Sequence, residues 1–205
     1  MDIEVFTQSA IKLSGSMTIY FDPFQIEAEY HDADYIFITH DHYDHYDESS
    51  IGNAIKDTTL LIVPKILEEK AKVLTKNILA VEPNAKYKIK ELEFETLPSY
   101  NLNKEFHPKE KEYVGYNVKV DGINYYVMGD TDVVSEITSV KTDVCFIPIG
   151  DKYTMNYTEA ADYINHIKPK KVIPTHYGSI IGSIDLGEKF SELINQDIKV
   201  DLYIK

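Results

Sequence analysis

The sequence of 205 residues predicts an α/β fold, a single domain over 1–205, in which helices cover the outer faces of two facing β-sheets. Three observations lead there. Short apolar runs such as Thr59-Leu60-Leu61-Ile62-Val63 and Val144-Cys145-Phe146-Ile147 alternate with helical patterns, and helices lying outside two facing sheets would bury all of them. The two halves share this order of elements, although no short sequence repeat relates them. No Gly/Ser linker or low-complexity segment divides the chain, and its length suits one domain with a sizeable core.

Ile3-Glu4-Val5-Phe6, Ala10-Ile11-Lys12-Leu13 and Met17-Thr18-Ile19-Tyr20-Phe21 read as strands, with Gly15 at a hairpin turn and Asp22-Pro23 ending the third. Tyr35-Ile36-Phe37-Ile38 reads as a buried strand. Residues 49–56 read as a short helix with Ser49 or Ser50 as N-cap. The strand at 59–63 is stopped by Pro64, and 65–75 reads as a helix with Ile66, Leu67, Val73 and Leu74 inward. A strand follows at 78–81. Alternation at 87–90 and 92–97 predicts half-exposed strands, and 99–112 is a polar loop. Strands at 113–120 and 123–128 flank an Asp121-Gly122 hairpin turn. A short helix over 133–139 and a strand over 144–149 come next. Asn156-Tyr157-Thr158-Glu159 has the form of a capping box, and the helix behind it spaces Ala160, Tyr163, Ile164 and Ile167 on one face. Pro169 ends that helix. A strand at 171–174, a helix over about 185–195 and a strand at 198–204 complete the chain.

The chemistry concentrates directly after the strand at 35–38, in Thr39-His40-Asp41-His42-Tyr43-Asp44-His45. Strand-end loops are where such folds carry reactive groups. Imidazole and carboxylate together suit zinc, and also manganese or iron. In an extended segment residues two apart face the same way, so His40, His42 and Asp44 share a side while His45 points elsewhere. So many donors exceed the needs of one tetrahedral ion, and two adjacent divalent metal ions are expected.

Later strand ends supply further donors: His107 in Phe106-His107-Pro108, Asp130 in Gly129-Asp130-Thr131-Asp132 and His176 in Thr175-His176-Tyr177-Gly178. Alone, each has an ordinary explanation: a loop histidine, a turn-forming aspartate, a satisfied interior histidine. Beside the first motif they supply what a two-metal site lacks. His31, in an acidic loop, and His166, off the apolar face of its helix, read as solvated surface residues.

Bulk properties exclude several function classes. A net charge of −13 disfavours a nucleic-acid partner. All 21 basic residues are lysines, so an anionic substrate must be held by metal, lysine or backbone N–H rather than by a guanidinium fork. Cys145 is the single cysteine; it reads as an inert buried thiol and fits a cytoplasmic, reducing setting. Met1-Asp2-Ile3-Glu4 does not read as a signal peptide, and no apolar segment has the length of a membrane span, so no membrane association is expected.

The H-x-H-x-D-H pattern at 40–45 resembles the signature of the metallo-β-lactamase superfamily of metal-dependent hydrolases. With the Asn-x-x-Lys-x-Phe-His-Pro-Lys phrase from Asn101 to Lys109, Val114-Gly115-Tyr116 and Gly-Asp-Thr-Asp, the chain is similar to a small bacterial and archaeal branch related to L-ascorbate-6-phosphate lactonase. The resemblance implies an αββα sandwich with its site at one edge, where strand-end loops converge. It implies that His40, His42 and His107 are the imidazoles of a first metal site, that Asp44, His45 and His176 are ligands of a second, and that Asp130 bridges. It places Thr39, Asp132 and Met155 behind the ligands or in the pocket, with Asp47 or Asp132 available to orient an imidazole.

The implied activity is hydrolysis of a small-molecule ester, lactone or phosphodiester by hydroxide shared between two metals, most simply Zn2+. In that scheme Asp44 orients the hydroxide, Asp130 holds the metal pair, and the loop at 99–112 is a lid. Lys104 and Lys109 in the lid either meet a substrate anion or are solvated. Two rivals stand beside this reading. One is a metal-binding protein without catalysis. The other is a diiron oxidoreductase, disfavoured because such superfamily members carry Glu at the position of His42 and partner with a flavin domain.

Overall fold

A computed structural model describes residues 1–204 and places the strands in two mixed sheets. In the first, β1 (Asp2–Val5), β2 (Ile11–Ser14) and β3 (Thr18–Phe21) are antiparallel neighbours. They are followed in parallel by β4 (Tyr35–Phe37), β5 (Leu60–Pro64) and β6 (Ile78–Val81). In the second, β7 (Lys86–Ile89), β8 (Leu92–Pro98), β9 (Val114–Val120) and β10 (Ile123–Val127) are antiparallel. There β11 (Val144–Pro148), β12 (Lys171–Thr175) and β13 (Lys199–Val200) continue in parallel. Each half of the chain thus builds one sheet, antiparallel first and parallel after, which is the spatial form of their shared element order.

Phe37 stands between the sheets. Its ring meets Phe94 at 5.1 Å and Tyr116 at 4.9 Å, both edge-on. Ile11, Ile19 and Ile62 from the first sheet and Val118, Val127 and Phe146 from the second fill the same layer. Burying each large apolar side chain of this kind contributes about 1.5–3 kcal/mol. Helices α1 (Glu48–Ala54) and α2 (Glu68–Ala71) set Ile51, Ala54 and Ala71 against Ile36, Ile38 and Leu61 on the first outer face. Helices α3 (Tyr157–Ile167) and α4 (Leu186–Leu193) set Ala160, Ile164 and Phe190 against Cys145, Ile147 and Val172 on the other. The layers are αββα, as expected.

Locally encoded features follow the sequence closely. Asp121 and Gly122 have φ of +50° and +78°, as the hairpin turn between the paired residues Val120 and Ile123 requires. Asn156 accepts the N–H groups of Thr158 and Glu159 at 2.9 Å, and Glu159 accepts the Asn156 N–H at 3.0 Å. The Cys145 thiol is buried and pushed well above its ordinary pKa by desolvation.

Four expectations are corrected. The N-cap of α1 is Asp47, which accepts the Ser49 N–H at 3.3 Å and the Ser50 hydroxyl at 2.5 Å. The segment at 65–75 opens with a 3-10 turn at Lys65–Leu67 whose tighter winding shifts the helical phase. Leu67 and Ala71 therefore face the sheet while Ile66 and Val73 are exposed. The helix expected over 133–139 is a single 3-10 turn at Ser135–Ile137. Of the strand expected at 198–204 only Lys199–Val200 pairs with β12, because Pro174 has no N–H to extend the ladder.

Candidate metal centre

Six segments converge at one end of the sandwich: Gln8 between β1 and β2, Asp22 after β3, the loop at 39–46 after β4, the loop at 99–107 after β8, Asp130 after β10, and His176 after β12. Cross-sheet bonds pin the root of the histidine loop. The Tyr116 hydroxyl donates to the Ile38 carbonyl at 2.7 Å, and the Val114 N–H donates to the Thr39 carbonyl at 3.2 Å.

The loop is a turn rather than an extended segment. The His42 carbonyl accepts the N–H groups of His45 at 3.0 Å and Tyr46 at 2.8 Å. The alternation argument therefore fails at His45, whose ring stands 3.9 Å from that of His40 and 5.4 Å from that of His176. His45 faces the cluster with the others.

Three donor sets result, each with ligand atoms within 4.8 Å of one another: His40, His42 and His107; Asp44, His45 and His176; and His40, His45 and Asp130. Asp130 lies between the first two. Its Oδ2 is 3.1 Å from His176 Nε2 and 3.6 Å from His107 Nε2, and its Oδ1 is 3.4 Å from His45 Nε2. The Nε2 atoms of His40, His45 and His107 and Oδ1 of Asp130 are buried without a hydrogen-bond partner. Leaving buried polar atoms unpaired is costly, and imidazole nitrogen with carboxylate oxygen is the donor chemistry of a divalent cation.

The other ring nitrogens are held from behind. Asp22 Oδ2 accepts from His45 Nδ1 at 2.7 Å and from the Thr39 hydroxyl at 2.6 Å. Thr39 Oγ1 in turn accepts from His40 Nδ1 at 2.9 Å, and Asn101 Oδ1 accepts from His107 Nδ1 at 2.8 Å. In all three histidines the partner at Nδ1 orients the ring so that Nε2 faces inward. Gln8 Nε2 donates to Asp44 Oδ2 at 3.2 Å. Gln8, Asp22 and His176 adopt φ of +59°, +41° and +57°, so the site concentrates left-handed backbone at non-glycine residues. At Gly150 a Cβ would lie 2.3 Å from the His176 carbonyl oxygen, so only glycine lets the end of β11 pass there.

Charge divides the cluster. Burial holds His40 well below its ordinary pKa and His107 at about 4. Burial also opposes charge on His45 and His176, but Asp130 outweighs it, lifting His45 well above its usual value and His176 to about 9. Asp130 is held well below the carboxylate range by His176 and His45 against the effect of burial. Asp44 is likewise held at about 2, chiefly by its hydrogen bond with His176. One donor set is neutral in the metal-free chain, while the other must release protons to take a cation.

Not every residue singled out from sequence touches the centre. Asp132 accepts Lys104 Nζ at 2.6 Å and the Leu102 N–H at 2.9 Å; it orients no imidazole. Asp47 caps α1, and Met155 packs in the outer core beneath α3. Lys104 is tied to Asp132 and to the Thr154 carbonyl at 2.8 Å, and Lys109 to Glu136 at 2.8 Å. The Lys104 pair is partly buried, whereas Lys109 lies at the surface and is solvated, as one of the expectations had it; neither lines the cleft with the donors. His31 and His166 are exposed, as expected, though each contacts a backbone carbonyl. Sequence reasoning missed Gln8 and Asp22. The one available signal for Asp22 was its place directly after the apolar strand β3.

His42, Asp44, Asp130 and His176 open onto a cleft of about 270 Å³ completed by Tyr43, Phe106, Tyr153, Ile180 and Ile181. An αββα sandwich with a histidine–aspartate cluster at its strand ends defines a metal-dependent hydrolase of the metallo-β-lactamase fold. The chain belongs to the beta-lactamase superfamily, whose domain matches residues 3–176, and within it to the UPF0173 metal-dependent hydrolases. It is 28% identical over 209 residues to one from Pyrococcus furiosus, covering 94% of this chain and 91% of that one. It is 30% identical over 225 residues to one from Staphylococcus carnosus, covering 91% and 94%. The crystal structure of a candidate metal-dependent hydrolase from Parabacteroides distasonis matches with a TM-score of 0.84 at 29% identity, covering 99% of this chain and 93% of that one. Among the described residues no helix is long and apolar enough to cross a membrane.

Proposed function

We infer that the chain hydrolyses a small-molecule ester, lactone or phosphodiester with two divalent metal ions, Zn2+ in the first instance and Mn2+ or Fe2+ as alternatives. His40, His42 and His107 would hold one ion, Asp44, His45 and His176 the other, and Asp130 both. The observation that carries this reading is the set of buried Nε2 atoms of His40, His45 and His107, with Asp130 Oδ1, that face one another without hydrogen-bond partners.

Bound metal supplies water activated near neutral pH and positive charge against the negative charge that develops as the bond breaks. The chain supplies the rest. Asp22, Thr39 and Asn101 keep the imidazole lone pairs inward. Asp130 keeps the two donor sets in register. Asp44 lines the cleft and, held as a carboxylate, can accept a proton from water or orient it. The phrase from Asn101 to Lys109 supports kinship with L-ascorbate-6-phosphate lactonase, which makes lactones the first class to assay. The charge of −13 favours a small-molecule substrate over nucleic acid, and the single buried thiol suits the cytoplasm.

The test is to purify the chain without added metal or chelator, measure metal stoichiometry, and assay a generic lactone and a generic phosphodiester. About two ions per chain with chelator-sensitive turnover is the expected result. Failure to take up metal, even with zinc or manganese supplied, overturns the reading.

A further inference from the structure

We propose that the cleft selects an uncharged ester or lactone carrying an apolar, preferably aromatic group, and discriminates against phosphorylated substrates. This rests on the hydrolase reading above and concerns the part of the substrate that does not react.

Apart from the donors, the cleft is walled mainly by apolar and aromatic side chains. Phe106 and Tyr153 meet edge to face, with ring centroids 4.4 Å apart and an interplanar angle of 84°. Ile180, Ile181 and Tyr43 complete the apolar part of the lining. Tyr43 is 65% exposed, Phe106 43% and Ile180 44%. Large apolar side chains left open to water around a polar reacting centre form the surface on which a substrate's inert portion is buried. Both rings of the edge-to-face pair line the space, and aromatic side chains of this kind pack favourably with a further ring.

Charge points the same way. Lys104 is tied to Asp132 and Lys109 to Glu136. Lys152 Nζ lies over the Tyr153 ring, 4.9 Å from its centroid, and does not line the cleft. The chain has no arginine. Among the described residues no lysine lines this space, and its only basic side chains are the donor imidazoles of His42 and His176. A phosphate borne on the inert part of a substrate would therefore lose hydration against aromatic carbon without gaining a partner. The net charge of −13 adds long-range repulsion. A neutral aryl or alkyl group meets neither penalty.

The experiment compares dihydrocoumarin, a neutral aryl lactone, with 6-phosphogluconolactone on the zinc-loaded full chain. The expected kcat/KM is about tenfold or more in favour of the neutral lactone. Phe106→Ala is expected to raise KM for dihydrocoumarin about tenfold at unchanged metal stoichiometry, and Phe106→Leu to recover part of the loss. Ile180→Lys is expected to improve kcat/KM for the phosphorylated lactone. Binding is read separately by NMR saturation transfer to the ring protons of 3-phenylpropionamide, which is expected to be strong for the native chain and weak for Phe106→Ala. An equal or greater kcat/KM for the phosphorylated lactone overturns the proposal, and so does ring saturation that Phe106→Ala leaves unchanged. Absence of turnover on both lactones at full metal occupancy overturns the choice of lactones as the bond class, not the hydrolase reading, and the saturation experiment still decides the chemistry of the wall.

Discussion

Asp22 Oδ2 lies 2.7 Å from His45 Nδ1, with both side chains fully buried. Twenty-three residues separate them in sequence. The contact exists because β3 and β4 are parallel neighbours with Phe21 opposite Phe37, so the residue after one strand meets the loop after the other. The Asp22 N–H donates to the Phe37 carbonyl at 2.9 Å, and the Asp22 carboxyl takes the Thr39 N–H at 2.7 Å. Sheet register thereby sets the direction of the His45 imidazole, a candidate metal ligand.

Asp22→Ala frees the His45 ring and is expected to weaken metal binding at the set formed by Asp44, His45 and His176 by about 10–100-fold. Asp22→Asn, which tolerates the left-handed backbone and keeps a bond to Thr39, should lose less. Chelator-competition titration checks this, and equal affinities in all three proteins would remove Asp22 from the centre.

His107→Ala and Asp130→Ala should differ in stoichiometry. His107 belongs to one donor set, whereas Asp130 stands between both. The first variant is expected to retain about one ion and the second to hold neither firmly. Elemental analysis after gel filtration reads the difference. Two tightly held ions in Asp130→Ala would contradict a bridging role.

The metal-free chain should be most stable near pH 6.5. His107, held at about 4 by burial, binds fewer protons folded than unfolded at pH between about 4 and 6.5, so stability falls as pH drops through that window. His176, lifted to about 9 mainly by Asp130 against burial, gives stability fully present below about 6.5 and lost as pH rises toward 9. Urea midpoints measured across this range should pass through a maximum; a profile that only rises would show that the Asp130–His176 pair contributes nothing.

Lys104→Met should act on stability and not on the metal. It strands Asp132, which is largely buried, and frees the Thr154 carbonyl. A cost of about 1–3 kcal/mol is expected. Denaturant unfolding together with metal analysis separates this from a ligand defect, since metal content should match that of the native chain.

The parts of the fold that were legible in the sequence are those whose cause is local. The Asn156–Glu159 capping box, the Asp121-Gly122 turn and the alternation in β8 depend on residues a few positions apart, and all appear where expected. The donor set was legible because its residue types follow directly on apolar strands. Local reasoning failed where the chain leaves regular geometry. His45 was misdirected because a turn at His42 replaces the extended backbone that alternation assumes, and Ile66 because a 3-10 turn shifts the helical phase.

By itself, the sequence determined which atoms could bind a cation, the absence of any arginine and the alternation of strands and helices. Tertiary structure decided how the donors divide into sets, which carboxyl stands behind which imidazole, and that Lys104 and Lys109 turn away from an apolar cleft. The physical reason is distance along the chain. Spacing constrains neighbours within a turn or a strand, whereas His45, Asp130 and His176 meet only after two sheets have packed in one register.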